Sequence, residues 1–290
     1  MTSAITFTKI IAFLILISST SCAFKRIHRD KNIIYMKTDS TRSIPSLSLN
    51  IFSPRKPVDK NVLIFIHGGS WRSGDKKLYS FFGSRMARKG VVTVIINYPL
   101  SPIGDFNDMA YASASSVKWV HENIDQFGGD QNKIFVSGHS AGGHLAALIS
   151  VRDEYLDSVG IKSPIKGAIL IDAAGLDMYG YLMEEKKPEG HSYLKTFTPN
   201  PREWKKASPL YHLHKGMPPF LIYKGEKTYA SIHKSHDKFV KVLPNFTSKV
   251  NYHVLKRKKH VPMITQFVWT WNPRYDEILH FMNGIADTTN

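Results

Sequence analysis

Residues Ile134 to Leu148 read IFVSGHSAGGHLAAL, and the sense of the whole chain turns on this stretch. A β-type run, Ile134 to Val136, passes through Ser137-Gly138-His139-Ser140 into a helix-forming run from Ala141 to Ile149. Ser140 stands between Gly138 and Gly142, the spacing G-x-S-x-G, where a strand has to become a helix. A backbone that turns so sharply passes close to itself, and glycines on both sides of the serine leave it room. The helix beyond aims its first unbonded N–H groups and its positive dipole end back at the serine. A hydroxyl held there suits attack on a carbonyl, with an oxyanion left beside those amides.

Outward from this turn, strand-like and helix-like runs alternate. Val62–Ile66 and Val91–Ile96 are continuous β-branched and apolar runs, as expected of strands buried on both faces. Helical stretches are expected at 77–89, 105–127, 141–150, 231–243 and 275–285, and further strands at 134–136, 166–171, 219–223 and 249–255. Between 105 and 127, Met109, Val117, Val120 and Ile124 fall on one helical face. The alternation predicts an α/β fold, a mostly parallel sheet with helices on both faces. Residues 176–214 break the rhythm with six aromatics and four prolines. They read as a candidate cap insertion forming an acyl or aromatic pocket. Residues 23–47 are polar and basic and read as a tether or irregular lead-in, with the main domain spanning 48–290.

His67-Gly-Gly-Ser-Trp71 follows the first central strand and precedes the serine turn in chain order. With G-x-S-x-G it resembles the α/β-hydrolase fold, and more narrowly the serine esterase and lipase branch with HGG-x-W. That branch includes hormone-sensitive-lipase-like, kynurenine-formamidase-like and feruloyl-esterase-like proteins. Asn97-Tyr-Pro-Leu-Ser-Pro102 and Phe127-Gly-Gly-Asp-Gln-Asn-Lys-Ile134 fit the same branch. The resemblance implies a serine esterase that cleaves a carboxylic ester of small or medium acyl size, with neither metal nor organic cofactor. Its oxyanion hole would be formed by the amides of Gly69, Ser70 and Ala141. Trp71 reads as packing that fixes the loop.

Ser140 needs a base, and three of the 13 histidines have a claim. His139 lies inside the turn, where its side chain is expected to point away from Ser140. His144 is one helical turn further on and should pack near that helix. His260 follows the strand at 249–255, and the order Ser…His suits the fold, so His260 is the expected base. The acid is the strained point. Related esterases carry G-x-x-D after the preceding strand, whereas this chain reads Gly225-Glu-Lys-Thr228. Asp172, ending the strand in LIDAAGLD, leads as the acid; Glu226 and Asp177 are alternatives, and an impaired site without an acid is a fourth case.

Composition bounds the rest. The 290 residues, 42% of them hydrophobic, suffice for one large domain with a substantial core. A net charge of +16 implies attraction to anionic material, such as an acidic membrane surface. Scattered lysines and the lack of any finger or RNP-type motif argue against nucleic acid. Lys9, the apolar run Ile10–Ile17 and small residues Ser18–Ser21 leading to Cys22 form a secretory pattern over 1–22, too short to span a bilayer. It resembles a bacterial lipoprotein signal, with Cys22 as the lipidated residue at the cell envelope, although Ser19 stands where leucine is usual. Plain export and an uncleaved anchor are the alternatives. A single cysteine allows no intrachain disulfide. Within hydrolases the second reading is an arylformamidase-type amide hydrolase. Outside them it is a catalytically degenerate hydrolase serving as a binding module.

Overall fold

The runs Val62–Ile66 and Val91–Ile96, expected to be buried on both faces, form the strands Lys60–Ile66 and Val92–Ile96, which lie parallel and in register, Val62 opposite Val92 and Ile66 opposite Ile96. The computed structural model describes residues 26–247 and 250–286. Its strands are β1 (Ile27–Met36), β2 (Leu47–Pro54), β3 (Lys60–Ile66), β4 (Val92–Ile96), β5 (Gly129–His139), β6 (Ile165–Ile171), β7 (Phe220–Gly225) and β8 (Val250–Leu255). They form one 8-stranded sheet in the order β1-β2-β4-β3-β5-β6-β7-β8. The first two pairings are antiparallel and the rest parallel.

The period of two along each strand divides the core. Leu63 and Phe65 face one layer, with α1 (Ser80–Arg88); Val62, Ile64 and Ile66 face the other, with α2 (Phe106–Asn123) and α3 (Ala141–Val151). Full burial of a side chain such as Phe65 stabilises by about 1.5–3 kcal/mol over exposure. The α2 start is closed by a capping box: Asp105 accepts from the Asn107 and Asp108 amides, and Asp108 accepts from the Asp105 amide. After the short α4 (Glu154–Ser158), the rhythm gives way at 176–214 to α5 (Met178–Glu185), α6 (Ser192–Phe197) and α7 (Pro201–Lys206). These are capped by Asp177, His191 and Asn200, and are too short to show a helical period in sequence. The chain then runs through α8 (Ala230–Val242) and α9 (His260–Thr265) to α10 (Arg274–Ala286).

One expectation is corrected. Residues 23–47 are no plain tether, because β1 occupies 27–36 and pairs with β2. Register shifts between Asp30 and Ile33 and between Ile34 and Met36 break its alternation, and only Tyr35 is buried. An exposed edge strand carrying Arg29 and Lys31 has the composition of a loop, and those charges discourage pairing with another chain.

Candidate active site

The strand-to-helix turn is built as tightly as its glycines imply. Ser140 has φ 56° and ψ −121°, a conformation costing about 1–3 kcal/mol for a residue with a Cβ. It is over-determined: its N–H donates to the Ile171 carbonyl at 3.2 Å, and its carbonyl accepts from the amides of His144 and Ala174, each at 3.1 Å. A Cβ on Gly138 would lie 2.2 Å from the Gly142 carbonyl carbon, and one on Gly142 would lie 2.0 Å from the Ile66 carbonyl oxygen. Any side chain at either position forces the turn open.

His260, at the start of α9, meets this turn across 120 residues of sequence. Its Nε2 lies 2.8 Å from Ser140 Oγ and its Nδ1 lies 2.6 Å from Asp172 Oδ2. The serine hydroxyl donates to Nε2 while Nδ1–H donates to the carboxylate. Asp172 follows the last residue of β6 with φ 49° and no solvent exposure. Its Oδ1 accepts from the Gly225 amide at 2.8 Å and its Oδ2 from the Thr228 hydroxyl at 2.5 Å. Burial pushes its carboxyl pKa up, but the hydrogen bonds from His260, Gly225 and Thr228 outweigh that and hold it below the ordinary carboxylate value. Thr228, standing where related esterases carry aspartate, is thus a donor to the Asp172 carboxylate at the end of the neighbouring strand. The other carboxylates lie elsewhere. Glu226 accepts from the Arg257 amide, and Asp177 caps α5 while paired with Lys238.

His139 differs from expectation. Its ring does not turn away from the serine but lines the same cavity and stacks on His260, centroids 4.7 Å apart. Its Nε2–H donates to the His260 carbonyl at 3.2 Å, and burial pushes its pKa down to about 3, so it is a neutral wall. Tyr229 also packs on His260, at 4.9 Å. The His260 ring is confined between two others, a constraint with no signature in the spacing.

Gly69 and Ser70 line the cavity, and among the described residues their N–H groups meet no acceptor. Ala141 opens α3, so its amide has no intrahelical partner. The loop is pinned by the Arg72 and Ser73 amides, which donate to the Gly69 carbonyl at 3.1 and 3.0 Å. Trp71 is buried, as its reading as packing requires, and Trp71 Nε1–H donates to His144 Nδ1 at 3.1 Å. His144 Nε2–H in turn donates to the Ala207 carbonyl at 2.6 Å. Burial pushes the His144 pKa down to about 4, so the ring is neutral and able to accept and donate at once. This line ties the HGGSW loop to the serine helix and to Ala207 at the end of α7, a role the sequence did not reveal for His144.

The space above Ser140 is a cavity of about 630 Å³, lined by Leu78, Tyr79, Phe81, Tyr193, Ile232, Val261 and Ile264 besides the groups named. Of the aromatics in the insertion, Tyr193 reaches this cavity, while Phe197 and Trp204 are buried in the core. Among the described residues no group of three or more His, Cys, Asp or Glu is placed to hold a metal.

Comparison with known families follows the same outline, since the BD-FAE profile matches residues 49–241, from β2 into α8. The chain belongs to the BD-FAE family. This BD-FAE protein is 31% identical to "Esterase LipC" of Mycobacterium tuberculosis (strain ATCC 25618 / H37Rv) over 188 residues, 60% of this chain and 45% of that one. It is 25% identical to "Probable isoprenylcysteine alpha-carbonyl methylesterase ICMEL1" of Arabidopsis thaliana over 244 residues, 77% of this chain and 50% of that one. It spans about half the length of these curated relatives. Among solved structures, Esterase B from Lactobacillus Rhamnosis (HN001) superposes with a TM-score of 0.72 at 21% identity, covering 98% of this chain and 96% of that one. The butyrate-bound Est2 of Thermogutta terrifontis does so with a TM-score of 0.70 at 22% identity, covering 91% and 95%. The BD-FAE protein has the α/β-hydrolase fold.

Proposed function

We propose that this protein is a serine hydrolase that cleaves a carboxylic ester of small or medium acyl size through an acyl-enzyme. Ser140 Oγ attacks the ester carbonyl while His260 Nε2 takes its proton. The negative charge that develops on the carbonyl oxygen falls to the amides of Gly69, Ser70 and Ala141, each such donor lowering the barrier by roughly 2.7–4 kcal/mol. Asp172 keeps Nδ1 protonated, so that Nε2 is the acceptor, and steadies the imidazolium. His260 then protonates the departing alcohol, and water, activated by the same imidazole, releases the acid. The observation that carries this reading is the unbroken line Ser140–His260–Asp172 opening on a cavity lined by Gly69 and Ser70, whose amides meet no acceptor among the described residues. The esterase names of the relatives favour the same chemistry.

The test is turnover of short-chain p-nitrophenyl esters together with covalent capture by a fluorophosphonate. Wild type should do both and Ser140→Ala neither. Absence of both in wild type would leave a binding module as the reading. Export, with Cys22 as a lipid anchor at the cell envelope, is also proposed; residues 1–25 lie outside the described ones, and the support is the pattern from Lys9 to Cys22.

A further inference from the structure

A second cavity, of about 760 Å³, lies at the opposite end of the sheet from the one above Ser140. Its charged lining is Arg26, Arg55, Lys56, Lys60, Arg88 and Lys89, with no carboxylate among the residues that line it. Lys89 reaches Asp276 at 3.2 Å, but among the described residues no ion pair holds Arg26, Arg55, Lys56 or Lys60. Arg26, Arg55, Lys56 and Lys60, gathered with no ion pair among the described residues, repel one another, and an anionic partner relieves that repulsion.

Its place follows from strand direction. Lys60 opens β3, and α1 ends at Arg88, with Lys89 and Gly90 leading on towards β4, whereas Ser140 and Asp172 follow the far ends of the parallel strands β5 and β6. A strand of seven residues spans roughly 23 Å, so the basic cleft and the catalytic mouth face opposite ways. Arg26, the first described residue, itself lines the cleft, and the adjoining Ile27 of β1 pairs with Pro54 beside it. Cys22 is four residues from Arg26, a reach of at most about 14 Å.

We propose that this cleft docks on the acidic phospholipid headgroups of a bilayer and holds the molecule with its mouth turned away from the membrane. The ester it cleaves then arrives from solution and not from the bilayer. The orientation rests on the export reading and the hydrolase reading above; the docking is measured without turnover. A basic patch beside a lipid anchor adds electrostatic attraction to anionic headgroups, about 1 kcal/mol for each cation near the surface.

The test uses the full chain and vesicles of phosphatidylcholine alone or mixed with phosphatidylglycerol. Any apolar contribution of residues 1–25 is common to both, so the ratio of affinities reads electrostatic attraction, which the variants then assign to the cleft. We expect tighter binding to the anionic vesicles, weakened by salt as screening shortens to about 3 Å at 1 M. The triple variant Arg55→Gln, Lys56→Gln, Lys60→Gln should lose about fivefold per cation, about a hundredfold in all, while kcat/KM on dissolved p-nitrophenyl butyrate and Tm stay at wild-type values. A control triple beside the mouth, Lys256→Gln, Arg257→Gln, Lys258→Gln, should leave the ratio unchanged.

Equal affinity for the two vesicles overturns the proposal, as does loss of binding in the control triple but not in the cleft triple. Loss on replacing the exposed Trp269 and Trp271 by alanine moves docking to another face and overturns it too. Tighter binding to duplex DNA than to anionic vesicles at equal salt overturns the lipid as partner. Activation of more than about tenfold on a bilayer-embedded diacylglycerol ester, relative to a dissolved ester, overturns the orientation. If wild type shows the vesicle pattern but cleaves no ester, the hydrolase reading fails and the docking stands.

Discussion

Replacing Asp172 by asparagine isolates what the buried carboxylate contributes. The asparagine side chain still fits, and its carbonyl oxygen can still accept from the Gly225 amide, 2.8 Å from the present Oδ1. What changes is the group facing His260 Nδ1, now 2.6 Å from a carboxylate oxygen. With an NH2 there, Nδ1 must accept, the ring proton moves to Nε2, and Nε2 can no longer take the Ser140 proton at 2.8 Å. The wrong tautomer and the missing counter-charge together cost about 10⁴ in kcat, or about 5.4 kcal/mol of barrier at 1.36 kcal/mol per decade. Asp172 does not line the cavity, so KM for p-nitrophenyl butyrate should stay within about threefold, the mark of an interaction made in the transition state alone. Adding Thr228→Asp to this variant puts a carboxylate where related esterases carry theirs, at the side chain that now touches Asp172 Oδ2. At least tenfold of kcat should return. Asp172→Asn retaining kcat within tenfold of wild type would refute the assignment.

Three further outcomes are expected. His144→Leu strands the Trp71 indole N–H and the Ala207 carbonyl in the core at about 1–3 kcal/mol each; urea unfolding should show a lower midpoint at unchanged m, and kcat should fall with the loosened Ser70 amide. Gly142→Ala drives a Cβ to 2.0 Å from the Ile66 carbonyl, so the variant should fail to fold or lose fluorophosphonate labelling; full labelling at wild-type Tm would contradict the turn geometry. Acid should destabilise the fold early, because burial holds His139 at about 3 and His144 and His236 at about 4, against an ordinary 6.5. The unfolded chain takes up those protons first as pH falls, so stability drops from about pH 6.5 towards 4, by about 1.4 kcal/mol per pH unit for each such ring. Asp172, with a depressed carboxyl, adds a loss of the same sign only below the ordinary carboxylate range. A Tm that is flat between pH 7 and 5 would exclude the histidine contribution.

Much of the frame was legible because it rests on local patterning. The apolar runs became β3, β4, β5, β6, β7 and β8, and the helices at 106–123, 141–151, 230–242 and 274–286 lie within a few residues of expectation. What escaped has weak local signal. The edge strand β1 has an alternation broken by its register shifts, its neighbour β2 mixes Ser48, Asn50 and Ser53 among its apolar residues, and α9 is six residues long. None of the three carries enough pattern to declare itself.

The sequence by itself determined the nucleophile's turn, since a strand, two glycines and a helix start lie within a dozen residues and sterics act at that range. It ranked Asp172 ahead of Glu226 and Asp177 but could not choose among them. That choice was made by tertiary structure, where the pairing of Ile171 with Tyr223 sets the end of β6 beside the end of β7. Asp172, Gly225, Thr228 and His260 converge there from four separate positions, and the stacking of His139 and the bond from Trp71 to His144 arise in the same way. Such contacts depend on how strands stack in register across the sheet, which no spacing along the chain encodes.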